Sequence, residues 1–318
     1  MSATVVVDQR GASLSLAANK TLRLGYPDGE THRIGLGAVQ RLVLMGELEL
    51  TAGVIRACHE AGVDLVLMPR RGRGEAVHVL PGSHTGSELR HAQHRLFDDP
   101  TGRLNMARWI VQTKIQHQGD WLDAHDLPNP LPRLREQAAS APDLPTLIGI
   151  EGAASAGYFQ NWRQLWQAPW TFPGRNRRPP RDPVNALLSL SYTMALGYLG
   201  RLISLHGLDP TIGFLHGPQR GRPALALDLL EILRPGLEHW VWTLLASSGE
   251  LRPTDFNDSD GEGCRLSRDG RENYYTAWFR DEESRLRIPA REGLAGLLRG
   301  LRGGRPRDWG VNGSISGH

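Results

Sequence analysis

Cysteine is almost missing from this chain of 318 residues: Cys58 and Cys264 are the only two. They stand far apart with no CxxC or CxH spacing, which excludes a disulfide framework and a thiolate zinc site and predicts a reducing, cytoplasmic setting. Long hydrophobic runs are scarce as well. The opening MSATVVVDQR has no basic region followed by an apolar run, and no stretch reads as long enough to span a bilayer, so neither a secretory leader nor membrane insertion is expected. Lysine is equally rare: Lys20 and Lys114 are the only two, and every other basic side chain is arginine. A GC-rich genome produces that bias. So does phosphate recognition, because a guanidinium grips phosphate oxygens in pairs and stacks on bases.

What is present suffices for a core. A hydrophobic content of 40% supports one large domain or two ordinary ones. The net charge of +3 and a pI near 9.1 lean mildly toward polyanionic partners. Residues 1–84 read as β-rich, with short apolar runs such as TVVVDQ, SLSLAANKTLRLGY, THRIGLGAVQRLVLMG and VDLVLMPRRG, one helix near 50–61, and turns at Pro27–Gly29 and Arg71–Gly74. Such small β units tend to need a covering partner, and this one is expected to serve dimerisation. After a linker at 85–92, apolar residues recur at helical spacing, as in LNMARWIVQTKIQHQ and VNALLSLSYTMALGYLGRLISLHGL. The predicted fold class is therefore α+β: a small N-terminal β-rich domain followed by a larger all-α domain over 93–300. The basic, glycine-rich stretch 301–318 reads as a flexible tail.

Three groups of residues can carry chemistry. In DLPTLIGIEGAASAGYFQNWRQLW, helical spacing puts Glu151 on the same face as Leu147, Ala154, Tyr158 and Leu165. A lone carboxylate on a buried stripe must be paired, protonated or bound to a cation. In GFLHGPQRGRPALALDLLEILRP, a helix begins at Pro223 and ends at Arg234 and Pro235, and Asp228 and Glu231 share one of its faces while His216 stands in the preceding loop. Any one of these reads most simply as a salt bridge, a solvated face or a hydrogen-bonded histidine. Together, one histidine and two or three carboxylates form the oxygen-rich set that suits magnesium or manganese, ions that activate a hydroxyl and neutralise a phosphoryl oxygen. The third group is the loop Pro169–Pro183, whose Arg175, Arg177, Arg178 and Arg181 can hold a DNA backbone or simply be solvated. Asp182 is the expected N-cap of the following helix, on which Asn185 and Tyr192 lie two turns apart on one side.

At these residues the chain resembles the CRISPR-associated spacer-acquisition integrases, the Cas-one family. The matching motifs are IEGAASAGYF, RRPPRDPVNALLSLSYT and GLDPTIGFLHGPQRGRPALALDLLEILRP, with weaker support from HAQHRLF, ARWIVQTKIQHQ and LRPTDF. The resemblance implies that Glu151, His216 and Glu231 are catalytic ligands of Mg2+ or Mn2+, with Asp228, Asn185 and Tyr192 supporting them. It also implies a homodimer that joins a small Cas-two partner on double-stranded DNA, and a transesterification in which a spacer 3′-hydroxyl attacks a phosphodiester at the edge of a CRISPR repeat. A stand-alone metal-dependent nuclease for branched DNA would use the same residues. A non-catalytic DNA scaffold would leave the acids and the histidine without a shared reason. A tyrosine recombinase is disfavoured because His216 and Arg220 do not form its HxxR pattern.

Overall fold

The computed structural model describes residues 3–45, 47–68, 77–79, 87–176, 179–259, 263–304 and Trp309. The chain divides into two compact units, Met1–Thr85 and Gly86–His318.

The first unit is built from short alternating runs. Strands β2 (Ser13–Ala17) and β3 (Thr21–Gly25) form a hairpin that pairs Leu14 with Leu24 and Leu16 with Leu22. Its turn places Asn19 and Lys20 at φ values of 59° and 53°. Strand β4 (Thr31–Gly35) follows the expected Pro27–Gly29 turn, where Gly29 has φ 90° and the Glu30 N–H donates to Asp28 Oδ1 at 3.0 Å. A short strand β6 (Glu49–Leu50) completes this sheet in the order β4-β3-β2-β6. In the second sheet, β1 (Ala3–Val7), β5 (Val39–Leu44) and β7 (Asp64–Leu67) run parallel, and β8 (Val77–Val79) is antiparallel at the edge. Helix α1 (Ala52–Glu60) buries Val54, Ala57 and Cys58 in the core that Val7, Leu14, Leu22, Leu42 and Leu65 share. The turn expected at 71–74 lies outside the described residues.

The second unit is mainly helical. Helix α2 (Ser87–Asp98) begins inside the stretch read as a linker. It is followed by α3 (Pro100–Ala124), α4 (Leu131–Ser140), α5 (Leu144–Trp162), α6 (Pro183–Leu205), α7 (Ala224–Trp242), α8 (Arg268–Arg280) and α9 (Ile288–Leu301). Three of these start alike: Asp99, Asp143 and Asp182 cap α3, α5 and α6 with their carboxylates, and a proline follows in the first turn. Such caps contribute about 1 kcal/mol each, and the proline has no N–H left to satisfy. The central α3 packs against α4, α5 and α7, while α6 lies along α7.

Four features differ from the sequence expectation. Helix α7 continues through Pro235 to Trp242, although proline removes the N–H that would reach the Glu231 carbonyl; burial of Ile232, Leu233, Leu237, Trp240 and Val241 on both sides of the break outweighs that loss. The helical unit is not purely α, because β9 (Phe256–Ser259) and β10 (Gly263–Leu266) form an antiparallel pair. Helix α6, with a mean hydropathy of 1.3, is long and apolar enough to cross a membrane, where none was expected. Its apolarity is that of a core helix: Leu187, Leu188, Leu199 and Ile203 are buried, and Ser191 bonds the Tyr274 hydroxyl at 2.9 Å. Finally, Trp309, within the presumed tail, is buried edge-on against Trp109 with ring centroids 6.2 Å apart. The rest of the tail beyond Gly304 lies outside the described residues.

Candidate active site

Helix α3 carries an apolar stripe of Ala107, Ile110, Val111, Ile115 and Leu122, and Lys114 sits on it. Its side chain is 2% exposed, and its ammonium bonds two carboxylates, Glu151 of α5 and Glu231 of α7, the latter at 2.6 Å. Ser155, one turn beyond Glu151, donates its hydroxyl to Glu151 Oε1 at 2.8 Å. Arg234 reaches the other oxygen of Glu231 at 3.1 Å. Glu151 thus escapes the cost of a lone buried charge by sharing a cation, one of the outcomes its position on the apolar face required. Burial opposes the charge on Glu231, but Arg234 and Lys114 overcome it and hold its carboxyl down to about 2. Burial likewise opposes the Lys114 charge, and Glu231 and Glu151 outweigh it, raising the ammonium above its ordinary value.

Beside this cluster stands His216. Its loop is drawn tightly against the start of α7: a Cβ on Gly213 would lie 2.7 Å from the Ala224 carbonyl carbon and 2.8 Å from the His216 carbonyl oxygen. Asp228, fully buried, accepts the backbone N–H of Phe214, Leu215 and His216 and also lies 2.8 Å from His216 Nδ1. Burial works against protonation of the imidazole, yet Asp228 and then Glu231 raise it above its ordinary value. Contact with Asp228 engages Nδ1, which leaves Nε2 as the nitrogen to bind a metal, as when a carboxylate orients a histidine ligand.

The supporting residues form a second layer. Asn185, fully buried, accepts from Arg175 at 2.6 Å and from the Asn176 backbone at 3.0 Å, and donates to Gly174 and Asp182. It therefore pins the arginine loop to α6. Tyr192 donates to Glu238, buried on α7, and the guanidinium carbons of Arg175 and Arg234 lie 5.3 and 5.0 Å from its ring centroid. Arg181 is exposed, whereas Arg177 and Arg178 lie outside the described residues. An open cleft of about 360 Å³ runs beside α5, lined by Ser155, Phe159, Gln160, Arg163 and Arg175.

The structure therefore brings Glu151 and Glu231 together around Lys114, and joins His216 to Asp228. Among the described residues, no three His, Cys, Asp or Glu side chains are gathered as a ready-made metal cage. Lys114 was missed from sequence. A lysine on an apolar helical stripe was as visible a signal as Glu151, and it is the complementary charge.

A β-rich unit followed by a helical unit built around this buried cluster places the chain in the class of CRISPR-associated proteins: a solved Cas1 protein from Thermotoga maritima matches with a TM-score of 0.82 and 25% identity, covering 96% of this chain and 98% of that one. The family described as "CRISPR associated protein Cas1" matches residues 5–280, and the chain belongs to that family. It is 35% identical over 284 residues to the CRISPR-associated endonuclease Cas1 2 of Rhodospirillum rubrum, covering 83% of this chain and 82% of the relative. A casposase bound to integration product shares the fold, with a TM-score of 0.83 at 18% identity over 95% of this chain and 91% of that one.

Proposed function

We propose that the chain is a divalent-metal-dependent DNA integrase of CRISPR adaptation. The observation that carries the reading is the convergence of Glu151 and Glu231, from two different helices, on one cation beside an imidazole oriented by Asp228. Two carboxylates and one imidazole suit Mg2+ or Mn2+. Held by Glu151, His216 and Glu231, such an ion would lower the pKa of an attacking hydroxyl and neutralise charge on the phosphoryl oxygen.

The chain's own residues do the rest. Asp228 fixes the imidazole, Arg234 fixes Glu231, and the loop that Arg175 anchors to Asn185 holds the phosphate backbone in line through Arg177, Arg178 and Arg181. The spacer 3′-oxygen forms a new bond to phosphorus as the bond from that phosphorus to the 3′-oxygen of the nucleotide flanking the repeat breaks, and the hydroxyl proton ends on the departing oxygen through solvent. No protein nucleophile is needed. Family membership supports a role in CRISPR adaptation, and the solved Cas6-RT-Cas1-Cas2 and TtCas1-DNA complexes that share the fold support a small Cas-two partner and DNA; the proposal adds a homodimer acting in the cytoplasm.

A labelled duplex with a free 3′-hydroxyl, incubated with a repeat-bearing target and Mn2+, tests the reading: joined strands are expected. Only shortened strands would overturn it in favour of the alternative, a stand-alone nuclease using water on branched DNA; the Rhodospirillum rubrum relative's name, CRISPR-associated endonuclease, supports strand cleavage as such.

A further inference from the structure

Lys114 is one of two lysines in a chain whose other basic residues are all arginine. It is also the point at which Glu151 and Glu231 meet. The residue type matters there, because an ammonium is a compact point charge with three donors, while a guanidinium is a broad plane. The compact group fits between carboxylates that arrive from different helices.

The charges around it already balance. Glu151 and Glu231 face Lys114 and Arg234, two anions against two cations. Asp228 is engaged elsewhere, its oxygens occupied by three backbone N–H groups and His216. Glu238 is bonded to Tyr192. A divalent ion added to two carboxylates that Lys114 and Arg234 already answer would bring uncompensated positive charge into a largely buried place, which is costly unless an anion arrives with it. A DNA phosphate is such an anion.

Building on the metal-centre reading above, we propose that Lys114 makes occupation of the Glu151, His216 and Glu231 centre by a divalent cation conditional on DNA. The ammonium and the ion compete for the same two carboxylates, and the phosphate that enters with the substrate takes up the displaced positive charge. Coupling of this kind is reciprocal: DNA tightens the ion by the factor by which the ion tightens DNA. The centre is armed only when its substrate is in place.

The test is Mn2+ binding to the full-length protein, followed by the electron paramagnetic resonance of free Mn2+, with and without a short duplex bearing 3′ overhangs. E231Q with the same duplex supplies the Mn2+ held by DNA itself. Wild type is expected to bind Mn2+ weakly alone and about tenfold or more tightly with DNA, the scale on which one nearby charge shifts an equilibrium. Lys114→Met and Lys114→Gln should bind Mn2+ about tenfold more tightly than wild type without DNA, with a smaller further gain from DNA. Their melting temperatures should also rise on adding Mn2+ more than that of wild type. Variants that bind Mn2+ no more tightly than wild type would reduce Lys114 to a structural clamp and overturn the proposal. Should neither variant fold, the wild type decides alone, because an Mn2+ affinity that DNA leaves unchanged overturns it equally. If wild type with DNA holds no more Mn2+ than E231Q with DNA, the metal-centre reading fails and takes this inference with it.

Discussion

His216 Nδ1 lies 2.8 Å from Asp228 Oδ1, and the same carboxylate accepts the N–H groups of Phe214, Leu215 and His216. One buried acid thus fixes both the loop and the ring it carries. Asp228→Ala leaves three backbone donors without their acceptor, so it should cost at least about 1–3 kcal/mol of stability. Strand joining should fall by about 10- to 100-fold, the usual cost of losing a residue that orients a metal ligand. Urea unfolding beside a joining assay checks both. A variant with wild-type stability would remove Asp228 as the organiser of this loop.

A second prediction concerns His239, which lies outside the acid cluster among Trp121, His125 and Trp242. Burial, and then the neighbouring His125, push its imidazole down to about 4. The folded value is below the unfolded one, near 6.5, so the unfolded state binds more protons between them. The stability contribution is present above pH 6.5 and is lost as pH falls toward about 4. His239→Phe should flatten the fall of unfolding free energy over that window. An unchanged pH profile would contradict the assignment.

Much of this architecture was legible because it depends on local rules. Short apolar runs broken by turns announced the β unit, Asp182 with Pro183 announced the start of α6, and Glu151 on an apolar face announced that it must be paired, protonated or bound to a cation. Non-local compensation was not legible. Pro235 looked like a stop, and only packing on both sides of it carries α7 onward to Trp242. Lys114 lies 37 residues from Glu151 and 117 from Glu231, so no spacing rule could pair them. Asp228 looked like half of a repelling acidic pair with Glu231, yet its charge is answered by amides and an imidazole from a loop.

The arginine loop divides into two roles. Arg175 bonds Asn185 and lies over Tyr192, whereas Arg181 is exposed. Changing Arg177, Arg178 and Arg181 together to alanine should weaken DNA binding and reduce the salt slope by about one released counterion per lost phosphate contact. Arg175→Ala should instead lower the melting temperature. Fluorescence anisotropy across a salt series, beside thermal melts, separates them. An unchanged slope in the triple variant would make the loop merely surface.

The β-rich unit is expected to pair two copies of the chain. Light scattering at micromolar concentration should give the mass of two chains of 35.2 kDa. A single-chain mass would count against that role.

The most direct test is strand transfer with Mn2+ on Glu151→Ala, His216→Ala, Glu231→Ala and Asp228→Ala, each beside DNA-binding and thermal-melt controls. The expected result is that the first three join no detectable strands while still binding DNA, because each removes a donor to the ion that activates the hydroxyl, and that Asp228→Ala joins slowly. If Glu231→Ala retained full activity while Asp228→Ala was inactive, the ion would be held by the other acid of α7. Normal joining by all four variants would contradict the metal centre altogether.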